Sequence, residues 1–467
     1  MQNFNYIYIE TYGCSSNQNN SEILAGILKQ AGYEMTNNEK IADIIILNTC
    51  VVKSKTESKI RRRIQDLTKQ SKRKLIIIAG CMPETDAKEI KKLNEKAILL
   101  GTHHFSEIPK LIRKYKENNL DWSEQNKFLD YQNEEKINLP KISNNKLISI
   151  IQISEGCLGN CTYCKARLAK GALFSYDIEN IIKSIENDLK SGAKEIWLTS
   201  QDCANYGMDK PISEENLNLS ISSKNKGLIN SSAKLSMHEG YQHKNQQLPE
   251  LLNKILSLKH NFKLRLGMMD PNNVLPILEE LIKVYRNPKM YKFLHIPIQS
   301  ASNKVLKDMN RRYEIEDVEN IIERFRKEIP NITISTDIIV GYPTETKEDH
   351  EKNLNFIKKY KPDVFNLSKM SIHRGTPASE LKPINPLIMS KRASELMEIH
   401  RQTALENKKK FLGKTINVFV DMKRQGFYEA RDENYNIIIV VGDKILGENL
   451  KVKIKNIGVH HMVGEII

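Results

Sequence analysis

Residues 156–167 read GCLGNCTYCKAR and contain three closely spaced cysteines, Cys157, Cys161 and Cys164. The preceding stretch, LISIIQIS (147–154), is apolar and predicts a strand. Three soft thiolates on one short loop can hold three corners of a cubic iron–sulfur cluster and leave the fourth iron without a protein ligand. Zinc is the alternative, but a structural zinc site takes four ligands, and no fourth Cys or His lies nearby in the sequence. The spacing Cys-x₃-Cys-x₂-Cys therefore predicts a cluster with one open iron.

This loop, placed just after a strand, resembles that of the radical S-adenosylmethionine (SAM) superfamily, in which the amino and carboxylate groups of SAM bind the open iron. From residue 147 the sequence alternates strand and helix patterns through six strands. The predicted strands are Leu147–Ile153, Glu195–Thr199, Lys263–Gly267, Phe293–Ile296, Thr333–Val340 and Val364–Met370. Six β/α units are too few for a closed eight-stranded barrel. They predict an open partial barrel with its function at the carboxyl ends of the strands.

Residues 1–120 alternate short apolar runs with helical patterns, which predicts a parallel, doubly wound sheet. The predicted strands are Tyr6–Glu10, Ile44–Asn48, Leu75–Ala79 and Ala97–Gly101, and the predicted helices are Glu22–Ala31, Lys55–Lys69, Thr85–Leu93 and Phe105–Lys116. Cys14, Cys50 and Cys81 each follow the carboxyl end of one of these strands. The carboxyl ends of parallel strands lie along one edge of a sheet. Three separate buried cysteines are the alternative, but the repeated placement favours one shared site.

The rest of the chain divides by composition into further parts. Residues 121–146 are polar without sustained periodicity and predict a linker between the first domain and the core at 147–385. Within the core, 211–246 is rich in Ser, Asn and Lys and predicts a disordered insertion. A connecting helix at 386–411 leads to 412–467, where five short strands separated by turn residues predict a small all-β barrel of a kind that binds nucleic acid.

Composition limits the functional class. The chain has 467 residues, seven cysteines and a net charge of +15, from 72 basic and 57 acidic residues. Residues 1–11 lack the pattern of a secretory leader, so we expect a reducing, cytoplasmic setting in which thiols bind metal. No apolar run approaches the roughly 20 residues that span a bilayer, and we expect no membrane partner. The basic charge favours a polyanion such as RNA.

Nearly the whole chain resembles the radical-SAM methylthiotransferase family. The resemblance rests on the stretches TYGCSSNQNNSE, ILNTCVVKSKTESKI, AGCMPE, CTYCKARLAKGALFSY, LRLGMMDP, HIPIQSASNKVLKDMNRRY and TDIIVGYPTET. It implies that Cys14, Cys50 and Cys81 hold an auxiliary 4Fe–4S cluster, that Cys157, Cys161 and Cys164 hold the SAM 4Fe–4S cluster, and that the C-terminal barrel is an RNA-binding TRAM domain. CTYCKAR followed by GALFSY is most similar to the archaeal and eukaryotic branch, which methylthiolates carbon 2 of threonylcarbamoyladenosine at tRNA position 37.

The family reading assigns the chemistry to cofactors, with no catalytic side chain beyond the cluster ligands, because insertion of sulfur at an aromatic C–H carbon needs a cofactor. Polar residues at the ends of the core strands are candidates for binding SAM: Gln201, Arg265, Gln299 and Asp337. Alternatively, these side chains serve only to satisfy backbone groups of the loops by hydrogen bonding. For Cys203 we expect ordinary packing.

The implied partners are a tRNA anticodon stem-loop and an external electron donor, and we expect a monomer. Basic residues are candidates for RNA contact in the run Lys53–Lys74 and on one face of the strand that carries Lys451, Lys453 and Lys455. Lys165, Arg167 and Lys170 are candidates for a cationic pocket around the threonylcarbamoyl carboxylate, or else pair with nearby acids. Alternative substrates are isopentenyladenosine in tRNA and a ribosomal protein. The non-enzymatic alternative is an iron–sulfur RNA-binding or electron-transfer protein.

Overall fold

The computed structural model describes residues 5–70, 73–210 and 246–467. The predicted disordered insertion, 211–246, lies outside the described residues except for Gln246. The side-chain amide of Gln246 donates hydrogen bonds to the backbone oxygens of Ala204 and Asn273, which closes this end of the insertion onto the core.

The N-terminal domain contains a five-stranded parallel sheet in the order β2-β1-β3-β4-β5. Its strands are β1 (Tyr6–Thr11), β2 (Glu34–Met35), β3 (Ile44–Thr49), β4 (Leu75–Gly80) and β5 (Ile98–Gly101). Every residue of β3 and β4 is buried, because helices cover both faces of the sheet, as parallel sheets require. The edge strand β2 was not predicted, since two residues are too short to leave a pattern.

Four helices cover this sheet: α1 (Ser15–Gln30), α2 (Ser54–Gln70), α3 (Cys81–Leu93) and α4 (Ile108–Lys116). Ile44 and Ile46 share an apolar cluster with α1 and α4, whereas Ile45 and Leu47 share one with α2 and α3. The alternation of β3 between two clusters confirms the predicted doubly wound arrangement.

Helix α1 begins at Ser15, seven residues before the predicted start at Glu22. Its first turns are polar, but Asn17 and Ser21 in them are buried and hydrogen-bonded to the carboxyl end of β3. Asn17 Nδ2 donates to Thr49 O at 2.8 Å, and Asn48 Nδ2 donates to Ser21 Oγ at 2.8 Å. Hydrogen bonding thus replaces apolar contact at this end of α1, and a hydrophobic pattern does not record it.

The predicted linker at 121–146 packs along the N-terminal domain and carries the short helix α5 (Trp122–Asn126). Phe128 is buried, and its backbone oxygen accepts a 2.7 Å hydrogen bond from Gly101 N. Ile142 N donates to Glu22 O at 2.9 Å. These contacts join the segment to both the sheet and α1.

The core contains two three-stranded parallel sheets, in the orders β10-β9-β6 and β11-β12-β13. Leu264 N donates to Lys289 O at 2.8 Å and Tyr291 N donates to Leu264 O at 2.9 Å, so the two sheets form one open six-stranded curve. The strands are β6 (Ile148–Gln152), β9 (Glu195–Thr199), β10 (Lys263–Arg265), β11 (Phe293–His295), β12 (Thr333–Val340) and β13 (Val364–Lys369). A short hairpin of β7 (Ser154–Glu155) and β8 (Phe174–Ser175) flanks the cysteine loop. The predicted partial barrel is confirmed.

Eight helices pack around this curve within the described residues. They are α6 (Lys165–Lys170), α7 (Ile178–Lys190), α8 (Leu248–Ser257), α9 (Pro271–Val274), α10 (Leu278–Tyr285), α11 (Asn303–Asp308), α12 (Ile315–Glu328) and α13 (Lys347–Tyr360). All but α6 share one large apolar cluster with the strands, and Ala169 of α6 packs in an apolar cluster of the N-terminal domain.

The 24-residue helix α14 (Pro386–Lys409) leads to a closed five-stranded barrel in the order β14-β15-β16-β18-β17. Its strands are β14 (Thr415–Lys423), β15 (Tyr428–Arg431), β16 (Ile437–Val440), β17 (Asn449–Ile457) and β18 (Met462–Ile466). The barrel has its own apolar interior, as predicted for the C-terminal domain. None of the helices described here combines the length and apolar content needed to cross a bilayer.

Candidate metal centres

The three cysteines of the core lie on the loop between β7 and α6. Burial raises the pKa of Cys157 and, to about 11, that of Cys164, and each is raised further by the neighbouring thiols of the loop. Backbone N–H groups of Arg167 and Ala166, in the first turn of α6, partly oppose this rise at Cys164. The loop therefore holds three mutually close thiols in a half-buried setting.

Gly159 allows two of these sulfurs to approach the loop backbone. A Cβ atom at this position would lie 3.2 Å from Cys157 Sγ and 3.8 Å from Cys161 Sγ. The Gly159 N–H also donates to Cys157 Sγ at 3.2 Å. A larger residue at 159 would crowd the space that these two thiols face.

The N-terminal cysteines come together at one edge of the sheet, as their positions predicted. Cys50 directly follows β3, Cys81 directly follows β4, and Cys14 precedes α1 after the end of β1. Burial raises the pKa of Cys50 to about 12, with further contributions from Cys81 and Cys14, and raises that of Cys81 to about 11. Gly13, at φ +109°, is in close contact with this group: a Cβ there would lie 2.8 Å from Cys50 Sγ, so a side chain is excluded both sterically and by backbone conformation.

Each set of thiols fits an iron–sulfur cluster better than a single metal ion. In the part of the chain that the structure describes, no three His, Cys, Asp or Glu side chains are arranged around one metal ion. A cubic cluster binds each thiolate through a different iron, so its ligands need not converge on one point. Forming three buried thiolates close together is costly in free energy, because they are poorly solvated and repel one another. A bound metal removes that cost by neutralising their charge.

Helix α3, which begins at Cys81, contacts α6, which directly follows Cys164. Lys165 Nζ lies 2.6 Å from an oxygen of Asp86 on α3 and 3.2 Å from one of Glu57 on α2. These ion pairs connect the residue after Cys164 to both helices on this face of the N-terminal sheet.

Lys170, at the end of α6, is also buried and paired. Its Nζ lies 2.7 Å from Glu155 Oε1 and donates to Thr102 Oγ1 at 2.6 Å. Burial disfavours the ammonium form, but Glu155, and after it Cys81, raise the pKa of Lys170 above its ordinary value. Lys165 and Lys170 thus pair with acids, which was the alternative to a cationic substrate pocket.

Of the predicted SAM contacts, Gln299 and Asp337 are brought together. Gln299, at φ +60°, donates its N–H to Asp337 O at 2.8 Å. The Asp337 carboxylate lies 2.5 Å from His295 Nε2, a pairing that the sequence did not predict. These residues belong to the β11-β12-β13 half of the core.

Gln201 and Arg265 lie in the other half. Gln201 Oε1 and Arg265 Nε are buried without a hydrogen-bond partner within the described residues. The Arg265 guanidinium lies over the rings of Trp197 and Phe293, at 5.5 and 5.3 Å, and over Tyr435 of the C-terminal barrel at 5.4 Å. Buried polar atoms without a protein partner are available to a ligand. Cys203 is fully buried, and its Sγ accepts from Ser200 Oγ at 3.4 Å, consistent with a packed thiol.

The sequence did not predict Arg311, which contacts a cysteine of the core loop. Its Nη1 donates to Cys161 Sγ at 3.2 Å across a separation of 150 residues. Arg311 stands in the stretch MNRRY, which was noted only as part of the family resemblance.

Comparisons with known proteins agree with this arrangement. Residues 6–101 match the model of uncharacterized protein family UPF0004, and residues 151–357 match that of the radical SAM superfamily. A solved structure of TsrM, a radical SAM methyltransferase from Kitasatospora setae with cobalamin and a [4Fe-4S] cluster bound, aligns with a TM-score of 0.54 at 13% identity. It covers 80% of this chain and 77% of TsrM. That likeness establishes the shared fold.

Curated relatives match over the whole length. The probable threonylcarbamoyladenosine tRNA methylthiotransferase of Pyrococcus horikoshii is 34% identical, and the match covers 99% of both chains. The corresponding protein of Archaeoglobus fulgidus is 34% identical over 98% of both. The human threonylcarbamoyladenosine tRNA methylthiotransferase is 31% identical over 98% of this chain and 73% of its own length. This chain therefore belongs to the threonylcarbamoyladenosine tRNA methylthiotransferase family.

Proposed function

We propose that this protein is a radical SAM enzyme that adds a methylthio group to carbon 2 of threonylcarbamoyladenosine at tRNA position 37. The observation that carries the proposal is the contact between α3, which begins at Cys81 of one three-thiol set, and α6, which directly follows Cys164 of the other, in a chain with full-length relatives of that name. When bound, two 4Fe–4S clusters would supply the electron that cleaves SAM and the sulfur chemistry of the transfer.

The role of the chain is to hold and separate these groups. Cys157, Cys161 and Cys164 would bind the SAM cluster, and Cys14, Cys50 and Cys81 the auxiliary one, with one iron of each left open. The buried atoms Gln201 Oε1 and Arg265 Nε, which have no hydrogen-bond partner within the described residues, would contact SAM. Gln299 and Asp337 complete the proposed SAM site from the opposite half of the core.

The RNA partner is supported by exposed basic residues. On α2, Lys55, Lys59 and Arg62 are exposed along one side of the helix. On β17, Lys451, Lys453 and Lys455 are exposed, while Val452 and Ile454 between them are buried in the barrel interior. Such surfaces suit the phosphates of an anticodon stem-loop and would repel a basic ribosomal protein.

We further propose that an external one-electron donor reduces the SAM cluster and that the protein acts as a monomer in the cytoplasm. The absence of disulfides among the seven cysteines supports a reducing compartment.

Iron content tests the two-cluster arrangement. Anaerobically reconstituted protein should carry about eight iron atoms, and a variant with Cys157, Cys161 and Cys164 all changed to Ala about four. Cys203→Ala is the matched control, because this thiol belongs to neither set, and it should retain about eight. Full iron in the triple variant would contradict the assignment of the ligands.

Substrate choice is tested with two anticodon stem-loops, one threonylcarbamoylated and one isopentenylated, offered anaerobically with SAM and a reductant. Mass spectrometry should find the methylthio product on the threonylcarbamoylated RNA. Product only on the isopentenylated RNA, or only on a ribosomal protein, would refute the substrate assignment while leaving the radical chemistry intact. No cleavage of SAM to 5′-deoxyadenosine by cluster-loaded protein would refute the enzymatic function itself.

A further inference from the structure

A buried arginine holds a fixed position against one cysteine of the core loop. The side chain of Arg311 is 8% exposed, and Nη1 donates to Cys161 Sγ at 3.2 Å. Nη2 lies 2.8 Å from Asp270 Oδ2, and Nε donates to the Tyr313 hydroxyl at 3.1 Å. Three different partners thus bind three nitrogens of one guanidinium.

The partners come from separate elements, which leaves the guanidinium little freedom. Asp270 precedes α9 and its Oδ1 accepts from Asn272 N at 3.0 Å, so this carboxylate is itself fixed. The Tyr313 ring lies beneath the guanidinium, 5.1 Å from its central carbon. A planar, permanently charged group with several directed donors suits this geometry, and a lysine could not reproduce it.

A buried cation next to a cluster sulfur has a definite electrostatic effect. A hydrogen bond to a cysteinyl sulfur and a nearby positive charge both favour the more negative, reduced form of an iron–sulfur cluster. Asp270 offsets part of this charge from the far side of the guanidinium. The arginine and the aspartate therefore act on the cluster in opposite directions.

We propose that Arg311, held by Asp270 and Tyr313, is a positioning residue that raises the reduction potential of the cluster bound by the Cys157, Cys161 and Cys164 loop. This inference rests on the proposed function, because it requires that cluster. It adds a residue outside the ligand set, and the role follows from the contact of a buried cation with Cys161 Sγ.

The test is a potentiometric titration of the reconstituted full-length protein, followed by electron paramagnetic resonance. The signal of the SAM cluster is the one that changes when SAM is added. In Arg311→Met the ratio of reduced to oxidised cluster at a fixed potential should fall about tenfold, equivalent to about 59 mV for a one-electron couple. Arg312→Met is the matched control, because the neighbouring arginine is exposed, and its ratio should be unchanged.

A second variant separates this effect from simple damage to the fold. Asp270→Asn removes the opposing charge, so its ratio should rise, opposite in sign to Arg311→Met. A structural disturbance would lower iron content in both variants and would not produce opposite shifts. If Arg311→Met fails to load its cluster, the Asp270→Asn variant provides the test. An unchanged or lowered ratio of reduced to oxidised cluster in Asp270→Asn then overturns the proposal.

The outcomes also separate this inference from the proposed function. Wild-type protein that binds no cluster overturns both. Suppose that the wild type binds its clusters and cleaves SAM. If Arg311→Met then has the same iron content and the same reduction potential as the wild type, only the role of Arg311 is overturned.

Discussion

Removal of one tyrosine ring should loosen the C-terminal barrel from the core. Tyr435 lies in the turn between β15 and β16 and reaches the rings of Trp197, Tyr291 and Phe293, at centroid distances of 5.9, 4.9 and 5.0 Å. The Arg265 guanidinium lies 5.4 Å from the same ring. This ring therefore joins the C-terminal domain to strands on both halves of the partial barrel.

The size of the effect follows from what Tyr435→Ala deletes. Truncating a large buried aromatic residue costs about 3–5 kcal/mol, and this figure already includes the aromatic contacts. The C-terminal barrel is closed and has its own apolar interior, so we expect the cost to appear in docking rather than in unfolding of the barrel. Since about 1.4 kcal/mol is a factor of ten, the undocked population should rise by roughly 100- to 4,000-fold.

Hydrogen exchange followed by mass spectrometry measures this population, because local opening governs exchange of protected amides. The Lys292 amide, which donates to Glu433 O across the contact between core and barrel at 2.9 Å, should exchange faster in Tyr435→Ala by about the factor above, whereas peptides from 428–431 and 44–49 should be unchanged. Tyr435→Phe keeps the ring and should behave as the wild type. Exchange at the wild-type rate in Tyr435→Ala would refute the role of the ring, and faster exchange in all three segments would indicate general unfolding instead.

Two further predictions concern charged residues of the N-terminal domain. Arg62→Gln should lower the salt dependence of RNA binding by up to about one unit of slope without affecting stability. Arg63→Gln should instead lower the thermal midpoint and leave the slope unchanged, because Arg63 pairs with Glu10 and Glu39. Equal slopes for both variants would contradict an RNA contact at Arg62. Burial raises the pKa of Glu22 to about 7, so its contribution to stability should be complete below about pH 4.5 and lost as the pH rises through 7. The thermal midpoint of the wild type relative to Glu22→Gln should fall over that interval, and a constant difference would contradict the raised pKa.

The strands were predictable because their burial leaves a plain signal. Ile44–Thr49 and Leu75–Gly80 are aliphatic runs buried at every position, and turn residues bound them. Ser15–Gln30 was predicted short, because its first turns bury amides and hydroxyls that pattern reasoning assigns to loops. Packing of this kind depends on partners distant in the sequence, such as Asn48, and local periodicity does not carry that information.

At the two cysteine sites, too, the sequence predicted local features and missed contacts between distant residues. Cysteine spacing and strand ends predicted both thiol sets, because the ligands of one set are local and those of the other lie at one sheet edge. Arg311 was not predicted, since its contact with Cys161 spans 150 residues and arginine is common in exposed helices. The charge of Lys165 and Lys170 was apparent, but their ion pairs, with Asp86 and Glu57 of the N-terminal domain for Lys165 and with Glu155 of the core for Lys170, depended on acids distant in the sequence.

The ion pairs of Lys165 and Lys170 are relevant to how the two thiol sets keep a constant relative position. A buried ammonium must be paired, and the partners of Lys165 are Asp86 and Glu57 on helices of the N-terminal domain, whereas Lys170 pairs with Glu155 just before the cysteine loop. Breaking one such pair would leave an uncompensated buried charge, which is costly. Chemistry that moves a sulfur-bound group between two centres requires a constant separation between them. We therefore propose that Lys165 of α6 helps to fix the distance between the proposed clusters, whereas the exposed lysines of α2 and β17 contact the tRNA.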